Sequence, residues 1–389
     1  GIDVDSNGYA YVVGETKSVD FPGTAVNSVD NTFDHTVESF VIKIDTNISG
    51  TNSLVWSSYL NGSIANDVAV DNDGDVYVVG TSSFEDFPVV NGFQTERGQG
   101  TCCTTDAYLA KISADGTQLL YSTYLGGTSA DEGHGVAVDS NENAYVGGRT
   151  RSATFPVTSD AYRTTPPDNQ YDLFITKIDT NISGTNSLIY STFFGGADGG
   201  DGFGGIAVDN EGNAYFAGGT GTNTFPVTAN AFQSESSSLN AYLTRINTSI
   251  SGTAGLIYST YFGNSQAGES ASSSDIAIDG TGKAYLTGQT NALNFPIRNG
   301  FDSTFNGGDM DAFVIVFDTE AVSGDASLLY STILGGSAYD QGWGISVTRN
   351  GNVYVSGLSQ SIDFPQNEAL TPHNGDAGSF VTKIDTTQV

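Results

Sequence analysis

Positively charged residues are scarce in this sequence. Its 389 residues include 13 Lys and Arg against 44 Asp and Glu, which gives a net charge of −31. Binding to nucleic acid or to an anionic membrane surface needs basic side chains that meet the phosphates. The charge balance therefore argues against both kinds of partner. It suits a secreted protein, a calcium-rich setting or a saline habitat, without choosing among them.

Cysteine is nearly absent as well. The two cysteines, Cys102 and Cys103, are adjacent, and two are too few for a disulfide framework or a cysteine-based zinc site. A vicinal disulfide between them is one hypothesis. Two free thiols, or bonds to another chain, are the alternatives.

Long apolar runs and helical periodicity are missing too. The sequence has no run of about 18 apolar residues, so we predict no insertion into a membrane. Apolar residues do not recur at a sustained spacing of three to four, so we expect almost no helix. No linker-like stretch divides the chain, and we therefore predict one domain over residues 1–389.

The sequence does contain a motif that recurs six times. It reads roughly Gly-Ile-Ala-Val-Asp, a polar turn, Asn-Ala-Tyr-Val-x-Gly, and then Phe-Pro. The Phe-Pro pairs recur every 66–70 residues, at Phe21–Pro22, Phe87–Pro88, Phe155–Pro156, Phe225–Pro226, Phe295–Pro296 and Phe364–Pro365. So regular a period indicates one structural unit stacked on copies of itself.

Each repeat predicts four antiparallel strands, which we call A to D. In the fourth repeat they fall at 205–209, 214–218, 241–246 and 256–263, separated by polar, glycine-containing turns. Six such repeats predict an all-β fold, a six-bladed β-propeller of four-stranded antiparallel blades. The coils of a parallel β-helix are far shorter, and a β-sandwich would not repeat itself six times.

Aromatic and basic residues recur at fixed places in the strands. The aromatic positions of strands B and D predict core packing rather than a sugar-binding platform; they are Tyr77, Tyr145, Tyr215, Tyr285, Tyr354, Trp56, Tyr121, Tyr190, Tyr258 and Tyr330. One strand C position is basic in five repeats, and we expect these side chains to be structural; they are Lys43, Lys111, Lys177, Arg245 and Lys383.

Several of these segments resemble a known family. The segments are Tyr-Ser-Thr-Tyr-Leu-Gly-Gly at 121–127, Asp-Ala-Tyr-Leu-Ala-Lys-Ile at 106–112, Gly-x-Ala-Val-Asp and Asn-Ala-Tyr-Val. Together they resemble the SBBP β-propeller repeat over essentially the whole chain. The resemblance implies a propeller and an exported, extracellular or cell-surface setting, and it implies no catalytic residues. The family name implies seven blades, whereas we count six.

The last repeat ends on its C strand, Phe380-Val381-Thr382-Lys383-Ile384-Asp385. The chain thus has six A, B and C strands but five D strands. We expect the missing outer strand to precede residue 1 in a longer protein. The alternative is a strand from a neighbouring subunit, since an unpaired sheet edge can template strand addition and thereby a homo-polymer.

Three aspartates are the candidate metal ligands. Asp131, Asp201 and Asp340 recur five residues before the predicted A strand core. Facing carboxylates could bind calcium, the one cofactor we consider, or act as an acid–base pair. The alternative, which we favour, is that each caps its own loop by accepting backbone N–H bonds. Asp71-Asn-Asp73-Gly-Asp75 resembles the start of a calcium loop, but its position predicts an A–B turn.

Four sequons provide candidate glycosylation sites at Asn47, Asn61, Asn181 and Asn247. Asn47, Asn181 and Asn247 fall in the same C–D turn of different repeats. They are therefore also explained as one inherited turn sequence, because Asn, Ser and Gly form turns well.

The variable parts of the repeats indicate where recognition occurs. The B–C loops are long and differ between repeats, whereas the A–B and C–D turns are short and uniform. Our leading hypothesis is a non-enzymatic extracellular propeller: a structural, adhesive or assembly module of a surface layer or filament. The alternatives are a module that binds glycans or proteins through the face that carries the B–C and D–A loops, and a carbohydrate-active enzyme. Whether the chain is an enzyme stays open, although the residues favour a non-enzymatic role.

Overall fold

The computed structural model describes the chain except for residues 23–27, 62, 99, 101–104, 198, 264, 349–350, 368, 370–375 and 387–389. The fold is all-β, a six-bladed propeller of mostly four-stranded antiparallel sheets, as the repeats predicted. The chain divides into two compact units, Gly1–Phe194 and Gly195–Val389, with three sheets each. The single domain over residues 1–389 stays a prediction.

The first unit contains the first three sheets, each with its strands in the order A to D. Every neighbouring pair is antiparallel. The strands are β1 Ile2–Val4, β2 Tyr9–Thr16, β3 Glu38–Asp45 and β4 Leu54–Leu60; β5 Ser63–Val70, β6 Val76–Ser82, β7 Asp106–Ile112 and β8 Leu119–Leu125; and β9 Asp131–Val138, β10 Asn143–Thr150, β11 Asp172–Asp179 and β12 Leu188–Phe194.

The second unit contains two four-stranded sheets and a three-stranded one. In the sixth sheet the C strand, β23, has no fourth strand beside it among the described residues. The strands are β13 Asp201–Val208, β14 Asn213–Thr220, β15 Asn240–Asn247 and β16 Leu256–Phe262; β17 Ala271–Ile278, β18 Lys283–Thr290, β19 Asp311–Asp318 and β20 Leu328–Leu334; and β21 Asp340–Val347, β22 Asn352–Ser359 and β23 Gly378–Asp385.

Helix in the described residues is limited to single turns between strands C and D. Three are 3-10 turns, Gly50–Ser53, Gly184–Ser187 and Gly252–Gly255, and one is an α-helical turn, Gly324–Ser327. The expectation of almost no helix is confirmed. In the part of the chain that the structure covers, no helix has the length and apolar character needed to cross a bilayer.

The aspartate at the end of the Gly-Ile-Ala-Val-Asp motif caps the A–B turn. Oδ1 of Asp209 accepts the N–H groups of Glu211 and Asn213, both at 2.9 Å. Its Oδ2 accepts the hydroxyl of Tyr215 at 3.1 Å, so the turn is tied to strand B. The same tyrosine–aspartate bond recurs at Asp5, Asp71, Asp139 and Asp279. The aspartate side chain caps the turn and binds the tyrosine hydroxyl, which explains why Asp and Tyr recur together in the repeats.

The core lies between neighbouring sheets. In each unit, one face of a sheet packs on the facing side of the next, because a single sheet cannot cover both of its apolar faces. Tyr77 and Leu109 of the second sheet, for example, share a cluster with Val146 and Phe174 of the third. The repeated aromatics are buried as predicted, apart from Tyr354 in the sixth sheet, which is 39% exposed.

The Phe-Pro pairs anchor the B–C loops to strand D. Phe225 is buried against Tyr242, and its N–H donates to the hydroxyl of Tyr261 at 3.0 Å. The hydroxyl of Ser259 on strand D donates to the carbonyl oxygen of Pro226 at 2.6 Å. The same serine–proline bond forms in the first, second and fifth sheets. Strand D therefore positions the long loop of its own repeat.

Candidate functional site

The three predicted ligands lie at the start of the A strands. Asp131, Asp201 and Asp340 are the first residues of β9, β13 and β21, and at most 2% of each is exposed. The strands begin earlier than the sequence pattern indicated, because a β-bulge lies between each aspartate and the regular part of its strand. The three carboxyls are therefore buried at the starts of their strands.

Asp131 caps the loop that leads into its strand. Its Oδ2 accepts the N–H of Gly127 at 2.7 Å and the hydroxyl of Ser152 at 2.7 Å, and its Oδ1 accepts the hydroxyl of Thr150. Asp340 accepts the N–H of Gly336 at 2.8 Å in the same way. These contacts fit the capping alternative. Calcium binding at the three aspartates stays a prediction.

A second buried carboxyl stands beside two of these aspartates. Asp106 begins β7 and Asp311 begins β19, and both are fully buried. The N–H of Asp131 donates to the carbonyl of Thr105 at 2.7 Å, so Asp106 and Asp131 adjoin at the junction of the second and third sheets. The sequence pattern did not indicate this partner, although Asp-Ala followed by an aromatic residue recurs at the start of strand C.

Burial controls the electrostatics of this first pair. It raises the pKa of Asp106 to about 6 and that of Asp131 to about 7, because the charged form loses its hydration. The negative charge of Asp106 adds to the effect on Asp131, while Arg97 opposes it at Asp106. Within the described residues, no group of three or more His, Cys, Asp or Glu side chains is arranged to hold a metal ion.

The Asp71–Asp75 segment forms the A–B turn of the second sheet. Oδ1 of Asp71 accepts the N–H groups of Asp73 and Asp75, at 3.0 and 2.9 Å. The positive charge beside this turn is the ammonium of Lys111. Its Nζ lies 3.4 Å from Asp71 Oδ2 and 3.3 Å from Asp75 Oδ2. The turn alternative thus accounts for this segment.

Four of the five basic residues of strand C are structural, as predicted, whereas Lys383 is exposed. Lys111 also contacts Glu142 at 3.2 Å and lies over the ring of Tyr77, 5.0 Å from its centre. Burial lowers the pKa of Lys111, but its contacts with Tyr77, Glu142 and Asp71 offset this and raise the pKa overall. Lys177 and Arg245 pair with the turn aspartates of their own sheets in the same way.

The sequons lie in two environments. Asn47 and Asn181 are exposed, whereas Asn61 and Asn247 are half-buried. If the chain is glycosylated, the exposed pair is the accessible one. Cys102 and Cys103 lie outside the described residues, so the vicinal disulfide stays a prediction.

The two terminal sheets each leave one face uncovered. We call the face toward the preceding sheet the N-side face and the face toward the following sheet the C-side face. On the C-side face of the sixth sheet, Trp343 is 50% exposed and Val381 78%. The corresponding residues of the second and fifth sheets, Leu109 and Val314, are fully buried.

The N-side face of the first sheet is also open. Ile2 and Val4 of β1 are 66% and 60% exposed. In the second sheet, Val68 occupies the position of Ile2 and is buried against Tyr11 and Val13 of the first sheet. The exposed residues of these two sheets therefore occupy positions that, inside each unit, join neighbouring sheets.

Comparison with known proteins identifies the class. Four segments, 55–88, 120–156, 257–296 and 329–365, match the SBBP β-propeller repeat. These four segments bear out the resemblance to the SBBP repeat. A search of curated protein sequences finds no match.

Solved structures with a similar fold share little sequence. A protein of unknown function from Dyadobacter fermentans is 11% identical with a TM-score of 0.47, covering 98% of this chain and 93% of its own. An ulvan lyase of polysaccharide lyase family PL25 is 11% identical with a TM-score of 0.45, covering 92% and 75%. A Hadza microbial sialidase is 10% identical with a TM-score of 0.34, covering 83% and 70%.

Proposed function

We propose that this chain is a non-enzymatic assembly subunit, extracellular or on a cell surface, whose copies join head to tail. The observation that carries the proposal is the pair of open apolar faces on the terminal sheets. The C-side face of the sixth sheet in one copy receives the N-side face of the first sheet in the next.

The chemistry of the two faces supports this contact. The N-side face exposes Ile2 and Val4, and the C-side face exposes Trp343, Tyr354 and Val381. Between neighbouring sheets within a unit, the same positions form a continuous apolar core. Exposed apolar surface of this kind marks an interaction site. Because the two faces differ, the contact is heterologous, and repeating it gives a filament or a closed ring.

Other features agree with a structural role. The buried aspartates at the strand starts do not face solvent, so they offer no acid–base pair to a sugar. The net charge of −31 makes copies repel one another, and salt screens that repulsion. We therefore expect assembly to strengthen as ionic strength rises.

The test places one charge on either face. Val381→Asp and Ile2→Asp are each expected to abolish polymers of the wild-type chain, because a carboxylate would be buried in an apolar contact. Sedimentation velocity measures the result. The control is Val322→Asp, since Val322 is 95% exposed in a C–D turn outside both faces.

Mixing the two variants distinguishes a head-to-tail contact from a symmetric one. Val381→Asp keeps its N-side face and Ile2→Asp keeps its C-side face, so the mixture should form dimers that stop there. Wild-type chains that stay monomeric at high salt, or variants that still polymerise, would refute the proposal.

A second candidate function is strand acceptance at β23. Residues Ser379, Val381 and Lys383 alternate as the exposed positions of a C strand whose counterparts in the other sheets pair with strand D. We expect a peptide with the strand D sequence 328–336 to bind there as the missing outer strand. Fluorescence anisotropy of labelled peptide measures binding. The control peptide carries Thr332→Pro, which cannot pair; equal binding of the two peptides contradicts strand addition.

A further inference from the structure

Two arginines and a tyrosine meet at one end of the third sheet. Arg149 is the last residue but one of β10, Arg151 follows that strand, and Tyr171 directly precedes β11. The guanidinium carbon of Arg149 lies 4.4 Å from the centre of the Tyr171 ring, and that of Arg151 lies 4.8 Å from it. One aromatic ring thus holds two positive charges in a chain whose net charge is −31.

A carboxylate on β9 fixes this arrangement. Oε2 of Glu132 accepts the Nε–H of Arg149 at 2.8 Å, and its Oε1 accepts the hydroxyl of Tyr171 at 2.9 Å. Nε2 of His134 lies 3.3 Å from the same Oε2. In the described part of the chain, the two terminal nitrogens of the Arg149 guanidinium donate to no other residue. The arginine is therefore held in position by one nitrogen while its outer donors point to no protein group.

The guanidinium of Arg151 has no carboxylate partner among the described residues, and Arg151 is exposed. Acidic residues outnumber basic ones by 44 to 13, so an arginine without a carboxylate partner is unexpected in this chain. Its backbone N–H donates to the carbonyl of Ala130 at 2.9 Å, which fixes its place at the start of the B–C loop. Since Glu132 balances Arg149, Arg151 leaves the cluster with one positive charge.

The other five sheets fold without such a cluster. The position of Arg149 is occupied there by Glu15, Thr81, Gly219, Gln289 and Leu358. The residue before strand C, which is Tyr171 in the third sheet, is Val37, Thr105, Leu239, Met310 or Ala377 in the others. A blade therefore forms without these side chains. They lie at the end of the sheet where the variable B–C loop begins and ends, and such loops are a common place for recognition.

The chemistry of the cluster selects an anion that also carries hydroxyl groups. A guanidinium binds both oxygens of a carboxylate through parallel N–H bonds, and one positive charge matches one carboxylate. Glu132 would repel a ligand that offered only a carboxylate, but its oxygens can accept further hydrogen bonds from hydroxyl groups. Sugar acids place hydroxyl groups beside a carboxylate and so meet both conditions. The side chains of aspartate and glutamate in a peptide have no such hydroxyl groups.

We propose that Arg149, Arg151 and Glu132 form a binding site for a sugar acid, the uronate of an acidic polysaccharide. The two arginines bind the carboxylate of the uronate, and Glu132 accepts its neighbouring hydroxyl groups. The net charge of −31 repels densely charged polymers, so the polysaccharide that fits carries few uronates among neutral sugars. The site is independent of the assembly contact, which uses the first and sixth sheets.

The test measures binding of three small ligands by saturation-transfer NMR. Methyl glucuronide carries a carboxylate and hydroxyl groups, methyl glucoside carries the hydroxyl groups alone, and a capped aspartate carries the carboxylate alone. The wild-type chain is expected to bind the glucuronide at least about tenfold more tightly than either other ligand, because each of these lacks one set of hydrogen bonds to charged groups.

Arg151→Gln is expected to weaken glucuronide binding about tenfold or more. The unfolding midpoint should change little, because the Arg151 guanidinium donates no hydrogen bond within the described residues. The matched control is Lys17→Gln, since Lys17 is the exposed residue that follows strand B in the first sheet and its loss removes the same charge. Arg151→Lys keeps the charge without the two-pronged donor; it should also weaken binding, and it serves if Arg151→Gln does not fold.

Four results would overturn the proposal. Two of them are equal glucuronide binding by Arg151→Gln and Lys17→Gln, and no binding of any of the three ligands to the wild-type chain. Equal binding of the capped aspartate and the glucuronide would assign the site to acidic peptides, and equal binding of the glucoside would exclude recognition of the carboxylate. Val381→Asp should bind the glucuronide as the wild-type chain does, so a failure of assembly and a failure of sugar-acid binding are distinguishable.

Discussion

Replacing Lys111 by methionine is expected to lower the free energy of unfolding of the first unit by about 3–5 kcal/mol. The Lys111 side chain is 4% exposed, and its ammonium lies within 3.4 Å of carboxylate oxygens on Asp71, Asp75 and Glu142. Methionine keeps the length of the side chain but leaves a nearly buried Asp71 without its cation. Chemical denaturation at neutral pH measures the loss.

The matched control for this variant is Lys17→Met. Lys17 is exposed, and surface changes of this type usually stay within about 0.5 kcal/mol. Hydrogen bonds from Lys111 and Asn181 hold the pKa of Glu142 below its ordinary value, so the loss at Lys111 should shrink as the pH falls through that lowered pKa. Equal effects of the two substitutions would mean that Lys111 is a surface residue in solution.

Gly148→Ala is expected to destabilise the third sheet by more than about 3 kcal/mol, or to prevent its folding. A Cβ atom there would lie 2.0 Å from the carbonyl oxygen of Glu132 and 2.9 Å from the ring of Phe174. The first obstacle is backbone, which cannot rotate away as a side chain can. Thermal and denaturant unfolding measure the effect.

The control for this glycine is Gly221→Ala, because no atom lies within 4 Å of a Cβ at Gly221. Strand B places a glycine at the same point in other sheets, where a Cβ would meet a backbone carbonyl at 1.8–2.0 Å; these are Gly80, Gly218, Gly288 and Gly357. Each faces the bulged A strand. If Gly148→Ala were as stable as Gly221→Ala, the close approach at the bulge would not exist in solution.

Much of this architecture could be predicted from the repeat. The strands, their antiparallel order and the buried aromatics follow from alternation and turn chemistry, which act over a few residues. The role of Asp209 as a turn cap also depends on local contacts, since Glu211, Asn213 and Tyr215 lie within six residues of it. Local patterns repeat visibly, so a single sequence is enough to recognise them.

The candidate sites depended on contacts between repeats. Asp106 and Asp131 are 25 residues apart in the sequence, and nothing in the sequence indicates that the start of one strand C adjoins the next strand A. The exposure of Ile2 and Val381 could not be predicted from the sequence either, because apolar residues in strands are usually buried. Their exposure depends on whether another sheet covers them.

The sequence by itself determined that six copies of one β-unit form blades, because the strand patterns and turn residues that each blade needs in order to fold recur in every repeat. Tertiary structure decided which side chains meet at the junctions, placing the buried Asp106 beside Asp131 and the buried Asp311 beside Asp340. It also decided that Ile2 and Val381 are exposed while their counterparts in other sheets are buried. The physical reason is that strand pairing and turns are specified within each repeat, whereas charge burial and surface exposure arise only when one repeat is placed against the next.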